Sequence, residues 1–450
     1  MSFTMRIESV DHTPGAGIPM GGYGWSERRS DGSVVEARRL RAQCAVLADA
    51  TGHVVVLVRA DVISVPRAVY LTIVARLVSA GLVTSAADFV LAQSHTHNGP
   101  MVGRVPDPYV LLGNEDDVAL TDAFTAEFAD VIVSLVTRTR AAAPVEVILG
   151  HAEGQAYIAA NREQLGWAPP DVPVLVARRA SDGAVHAVLF GHACHPVCHP
   201  YATKTFDADH CGRAAAEVTR RLGVPALFFQ GAAGDLNPVS MGSESAVRLT
   251  GDQLADSVVA MVRNNAFLPV NGPIRTAAET IELPFSVDLT DAAAVDLLRR
   301  KYQQRVDTSG TNAGARRHAE RMLELIGRNA LPRSLPMTVQ RLDLGGLTVL
   351  ALAHEVVSGY HVGTKDRYGK PLWFMAYANH VDAYVAADDL LWRGGYAAGW
   401  KDDDKIAGID TAALSYLLPA PLRASPRDHP GAPDCTEGLV NAAIARLLGS

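Results

Sequence analysis

The stretch DFVLAQSHTHNGP, residues 88–100, decides how the chain is read. Its apolar run FVLA has the length and composition of a short buried strand, and it breaks at once into serine, two histidines, asparagine, glycine and proline. The same grammar recurs along the chain. VVVLVRAD (54–61) ends on Asp61, and VLFGHACHPVCH (188–199) ends on His192, His195 and His199. PALFFQGAAGD (225–235) runs into Asp235, LTVLALAHE (347–355) into His354 and Glu355, and LWFMAYANH (372–380) into Asn379 and His380. Open α/β sheets bind ligands outside the carboxyl ends of their strands. Ligand-type residues gathered at those ends predict one shared site.

Working outward, apolar runs predict strands over 53–60, 88–93, 172–178, 185–191, 225–230, 347–353 and 372–377. Apolar residues at three- and four-residue spacing predict helices over 66–80, 115–140, 212–222, 244–264 and 289–327, and GLVNAAIARLLGS reads as a closing helix. The alternation is that of a layered α/β domain with a mixed β-sheet and its site at strand C-terminal ends. No period of about 20–50 residues repeats, and no Pro/Gly-rich segment is long enough for an interdomain linker. The charged string WKDDDK at 400–405 is expected to be a solvated turn.

The 450 residues are 48% hydrophobic and 20% charged, which excludes disordered and fibrous classes. A formal charge of −7 without a run of basic residues carries no footprint for nucleic acid or an anionic membrane. Apolar runs stop far short of the ~20 residues of a membrane helix, and the N-terminus has no signal-peptide pattern. Five cysteines, Cys44, Cys194, Cys198, Cys211 and Cys435, are too scattered for a disulfide framework. A reducing cytoplasm and a small-molecule partner are therefore expected; the oligomeric state is left open.

His95 and His97 would face one side if the strand conformation persisted through them, as zinc ligands or as one ligand and one group that polarises a substrate oxygen. A pair of hydrogen-bonded turn histidines has the same spelling. GHACHPVCHP (191–200) is denser, and its cysteines read either as small buried residues or, with Cys211, as a second metal site. His195 is the member able to join His95 and Glu355 around a catalytic metal with an open position. GAAGDLNP (231–238) supplies small residues that let a backbone approach a ligand, but no lysine follows as in a phosphate-binding loop, and no GxGxxG or GxSxG occurs. Metal-activated water is the simpler chemistry.

In order, these motifs resemble the N-terminal catalytic domain of the neutral/alkaline non-lysosomal ceramidase family. DHTPGAGIPMGGYG (11–24) is similar to its opening segment, and SHTHNGP to its S-H-T-H-S-G-P signature. NR at 161–162, HACHP at 192–196, FDADHCG at 206–212, GAAGDLNP, AHE at 353–355 and Tyr384…Tyr396 follow in the family's order. Asn237 departs from it, standing where the family has serine.

The resemblance implies one ceramidase-like domain over 1–450, without the family's C-terminal immunoglobulin-like domain. It implies one zinc ion held by His95, His195, Glu355 and Tyr384, with His97, Arg162 and Tyr396 lining the reacting centre and Glu355 available as proton acceptor. Asp235 and Asp209 are expected to orient the zinc-bound imidazoles. The implied activity is zinc-dependent hydrolysis of an amide (or ester) bond by metal-activated water, on an acylated amine or small metabolite rather than ceramide. A metal-dependent phosphoesterase and a non-catalytic binding protein that keeps the fold are the alternatives.

Overall fold

The computed structural model describes residues 3–23, 28–308, 313–400 and 416–449. Residues 401–405 of the charged string WKDDDK lie outside them. The first strands are β1 (Phe3–Asp11), β2 (Arg41–Ala48), β3 (Val54–Ala60) and β4 (Phe89–Gln93). Next come β5 (Val145–Gln155), β6 (Ala159–Asn161), β7 (Asp171–Arg179), β8 (Val185–His192), β9 (Ala226–Gln230), β10 (Leu236–Pro238) and β11 (Leu268–Val270). One large mixed sheet has the order β4-β3-β2-β1-β5-β7-β8-β9, with β11 added to β5. The layered α/β reading with a mixed sheet holds.

A second sheet, in the order β12-β13-β14-β16, is built from β12 (Arg275–Pro284), β13 (Ser334–Asp343), β14 (Thr348–Leu352) and β16 (Leu372–Met375). Between and after them, β15 (Glu355–Val356) pairs with β17 (Tyr384–Val385), and elsewhere β6 pairs with β10. The two large sheets face each other across an apolar core in which Leu47, Leu57 and Leu189 meet Leu342, Trp373 and Met375. Helices α1 (Arg67–Ser79), α2 (Pro108–Leu112), α3 (Glu115–Ala141), α4 (Asp209–Leu222) and α5 (Glu244–Asn264) come next in the chain. The first sheet buries its outer face against α1, α3, α4 and α5. Helices α6 (Ala292–Asp307), α7 (Ala313–Gly327), α8 (Ser358–Tyr368), α9 (Asp388–Arg393) and α10 (Thr436–Leu448) complete the description, with α6, α7 and α10 packed on the second sheet. The layers therefore run helix, sheet, sheet, helix. The stretch 289–327, expected as one helix, is described as two: α6 ends at Asp307, where Thr308 turns extended (φ −75°, ψ 111°), and residues 309–312 lie outside the described ones.

Three strand pairs place the site. Both β3/β4 and β8/β9 are parallel edge pairs of the first sheet, and β14/β16 is a parallel edge pair of the second. A parallel pair delivers both carboxyl ends to the same side, which an antiparallel hairpin cannot do. Backbone bonds join these ends: Gln93 N–H donates to Tyr377 O at 3.0 Å, Ala376 N–H to Gln230 O at 3.0 Å, and Asn379 N–H to Leu91 O at 2.6 Å. No helix among the described residues is long and apolar enough to cross a membrane.

Candidate metal centre

Strand β4 stops at Gln93, and His95 has φ 65°, a left-handed turn. The two histidines of SHTHNGP therefore do not share a face by strand alternation; the turn itself brings their ring centroids to 5.0 Å. His95 N–H donates to Val62 O, just beyond β3, and its Nδ1–H donates to Ile63 O at 2.5 Å. His195 is fixed in the same way beyond β8: its N–H donates to Leu236 O at 2.9 Å, and its Nδ1–H donates to Ala233 O at 2.8 Å. With Nδ1–H spent on a carbonyl, each imidazole presents the Nε2 lone pair of a metal ligand. The orienting groups are thus backbone carbonyls rather than Asp235 and Asp209. Asp235 accepts instead from Asn161 and from Ser358, and Asp209 lies beside His210.

Glu355 opens β15, past the end of β14, and its Oε2 stands 3.1 Å from His95 Nε2 and 3.3 Å from His195 Nε2. Among the described residues His95 Nε2 nonetheless has no hydrogen-bond partner, and neither ring nitrogen of His97 has one. Ring nitrogens of His95, His97 and His195 lie within 4.8 Å of one another, and all three residues are buried. Burial pushes His195 down to about 4, against the pull of the Glu355 carboxylate beside it, and pushes His97 well below the usual imidazole range. Neutral imidazoles turning lone pairs toward a buried carboxylate leave a place for a cation. Zinc, which takes nitrogen and oxygen donors together, fits this donor set. Tyr384 stands at its edge, Oη 3.4 Å from His195 Nε2, with burial holding the phenol well above its usual pKa.

The guanidinium of Arg162 closes another side. β6 pairs with β10 through Asn161↔Leu236, and Arg162 N–H donates to Asp235 O at 2.8 Å. The side chain donates to Gly234 O and, at 3.4 Å, to Asn237 Oδ1, so the asparagine that departs from the family pattern faces this arginine. Its charge lies 4.7 Å from the Tyr396 ring centroid and 5.5 Å from that of Tyr384, and the two rings are 5.5 Å apart. The small residues of GAAGD make room for protein rather than ligand. A Cβ on Gly234 would lie 2.8 Å from Glu355 O.

Every residue named for the site is thus gathered here: His95, His97, Arg162, His195, Glu355, Tyr384 and Tyr396. The other strand-end residues are not. Asp61 pairs with Arg59, His192 Nδ1–H donates to Asp171 O, and His199 pairs with Asp207. His354 and His380 pack against Pro336, Thr338 and Asp382, and Asn379 binds Gln340 and Leu91. These groups bond to the backbone and to each other, although Asp61 Oδ1 and His192 Nε2 have no hydrogen-bond partner among the described residues.

Two further tyrosines reach the centre. Tyr377 Oη–H donates to Glu355 Oε2 at 3.2 Å, and Tyr416 Oη–H donates to its Oε1. Tyr377 reads in the sequence as the end of an apolar strand, and Tyr416 sits in no motif. Gly22, φ 104°, packs so tightly on His97 that a Cβ would lie 2.5 Å from the ring. Among the described residues, Gly22, His95, His97, Glu355, Tyr384, Tyr416, Pro106 and Leu111 line a narrow cavity of about 20 Å³. A larger cleft of about 550 Å³ between α4 and β2 holds none of these donors, so chemistry, not volume, selects the site.

Two solved structures share this fold. Neutral ceramidase from Pseudomonas aeruginosa matches 100% of the chain and 75% of its own, with a TM-score of 0.69 at 17% identity. A ceramidase complexed with C2 matches 93% of the chain and 74% of its own, with a TM-score of 0.66 at 17% identity. No family model and no curated protein matches the sequence. The chain has the neutral ceramidase fold.

Proposed function

We propose that the chain is a hydrolase of the ceramidase kind, and more narrowly a zinc-dependent enzyme that cleaves the amide (or ester) bond of a small acylated amine. The observation that carries the reading is the convergence of His95 Nε2, His195 Nε2 and Glu355 Oε2, with both imidazole tautomers set by carbonyls. These atoms, with Tyr384 Oη, would hold the ion; His97 is a further nitrogen donor within reach. Zinc supplies Lewis-acid polarisation of a carbonyl and water acidified toward ~7.

The chain's own groups do the rest. Arg162, a half-buried cation with no carboxylate in hydrogen-bond contact among the described residues, faces the reacting centre beside Tyr396. It stabilises the oxyanion of the tetrahedral intermediate, the charge whose stabilisation usually dominates acyl-transfer catalysis. His97, neutral and with both ring nitrogens unpartnered among the described residues, takes the proton of the attacking water and returns it to the leaving amine. Glu355 is the second proton acceptor within reach. All five cysteines are buried free thiols, which supports a reducing, cytoplasmic compartment.

The test pairs metal analysis of wild type and His195→Ala with hydrolysis of a panel of short N-acyl amines, aryl esters and phosphoesters. The zinc of this centre and amidase or esterase turnover are both expected to disappear in His195→Ala. Phosphoester turnover alone would transfer the site to the phosphoesterase class, and a wild type that never takes up zinc would leave only the fold.

A further inference from the structure

A second group of donors lies outside this centre, where the loop after β8 meets the first turn of α4. Cys198, Asp209 and His210 are all buried, and one donor atom of each lies within 4.8 Å of the others. Cys198 Sγ is 3.7 Å from His210 Nδ1, and Asp209 Oδ1 is 3.2 Å from the same nitrogen. Around tetrahedral zinc, with Zn–S about 2.3 Å and Zn–N or Zn–O about 2.0–2.1 Å, donors stand about 3.3–3.6 Å apart. The observed spacings fall close to those edges.

We infer that Cys198, Asp209 and His210 hold a structural zinc ion at a site separate from the candidate catalytic centre. On the far edge of the imidazole, His210 Nε2 lies 3.5 Å from Cys211 Sγ. With Nε2–H donated to that sulfur, the Nδ1 lone pair would face Cys198 and Asp209, and Cys211 would orient the ring rather than bind the ion. Backbone N–H groups of His210 and Cys198 donate to Asp209 Oδ1 at 2.6 and 3.4 Å, yet among the described residues no lysine or arginine is bound to this buried carboxylate. The backbone N–H of His199 also donates to its Oδ2 at 3.3 Å, and a zinc ion would supply this buried charge with a counter-cation. Thiolate with imidazole selects zinc over magnesium or calcium. The ion would tie the loop that carries His195 to α4.

The experiment uses the full chain without a histidine tag. Zinc content is expected to be about two per chain in wild type and about one in both His195→Ala and Cys198→Ser. Because Cys198→Ser alters a buried position and can disturb folding, the decisive measurement is made on wild type and His195→Ala loaded with Co²⁺. The catalytic donors are nitrogen and oxygen only, so a sulfur-to-cobalt charge-transfer band can come only from the second site. The band is expected in both proteins. Its absence from cobalt-loaded wild type, or unchanged zinc content in a folded Cys198→Ser, overturns the proposal and makes the cluster a thiol–imidazole hydrogen-bond network. A band that persists while His195→Ala keeps all its zinc defeats the catalytic assignment instead.

Discussion

His95 Nε2 and Glu355 Oε2 stand 3.1 Å apart in the buried floor of the site, yet His95 Nε2 makes no hydrogen bond among the described residues. Two acceptors so placed repel each other unless a cation lies between them. Glu355→Gln replaces one acceptor with an amide that donates to Nε2. Zinc binding at this centre should be lost while the metal-free protein is as stable as wild type or about 1 kcal/mol more so. Equilibrium dialysis and urea unfolding in chelator check both halves; a metal-free variant less stable by about 2 kcal/mol would show that the pair is an ordinary ion pair.

Tyr377 and Tyr416 bind the two carboxylate oxygens of Glu355. Removing either hydroxyl leaves the ligands in place but lets the carboxylate turn. Tyr416→Phe and Tyr377→Phe should each lower zinc affinity or activity by about 10–100-fold. Competition with a fluorescent chelator measures this, and wild-type affinity in both variants would reduce the tyrosines to packing.

If Arg162 acts on the oxyanion, Arg162→Met should lower kcat by about 10²–10³ with KM nearly unchanged. Arg162→Lys, which keeps the charge without the fork that reaches Gly234 and Asn237, should lose less. A rise in KM alone would place the guanidinium on substrate binding.

Gly22→Ala tests how tightly His97 is seated. The new Cβ would meet the ring at 2.5 Å, from a backbone at φ 104°. Strain of about 1–3 kcal/mol, or displacement of the ring, should cost turnover tenfold or more with the fold retained. Circular dichroism beside steady-state kinetics reads both; full activity would mean that His97 need not hold its position.

Away from the site, hydrogen bonds from Arg220 first, then Arg221, and the charge of Arg213 outweigh burial and hold the Glu217 carboxyl at about 2. A depressed carboxyl pKa adds stability above its unfolded value, and that stability is lost as pH falls through the folded one. Because these charges are screened by solvent, Glu217→Gln should cost roughly 1 kcal/mol at pH 7. The difference should shrink between about pH 4.5 and pH 2. Urea unfolding of both proteins at about pH 7 and pH 3 measures it, and a pH-independent gap would assign the effect to packing.

Legibility in the sequence follows burial. Strands β3, β4, β8, β9, β14 and β16 announce themselves because parallel edge strands packed on both faces read as unbroken apolar runs. Strand β12 does not, because most of its residues are exposed or half-exposed and no run forms. At the site, the histidines, Glu355, Arg162 and the tyrosine pair are visible as motif residues. The carbonyls of Ile63 and Ala233 are not, since any residue offers a carbonyl, and carboxylates such as Asp235 and Asp209 look like better orienting groups on paper. Tyr416 is invisible for a different reason: only the folded chain brings it beside Glu355.

The three parallel strand pairs also set a timetable. Their carboxyl ends come from the first, middle and last parts of the chain, so a growing polypeptide owns His95 and His195 long before it owns Glu355 and Tyr384. Until the second sheet has closed over the first, two imidazoles wait without their carboxylate. Metal loading, on this architecture, belongs to the end of folding, and no amino-terminal fragment inherits the centre.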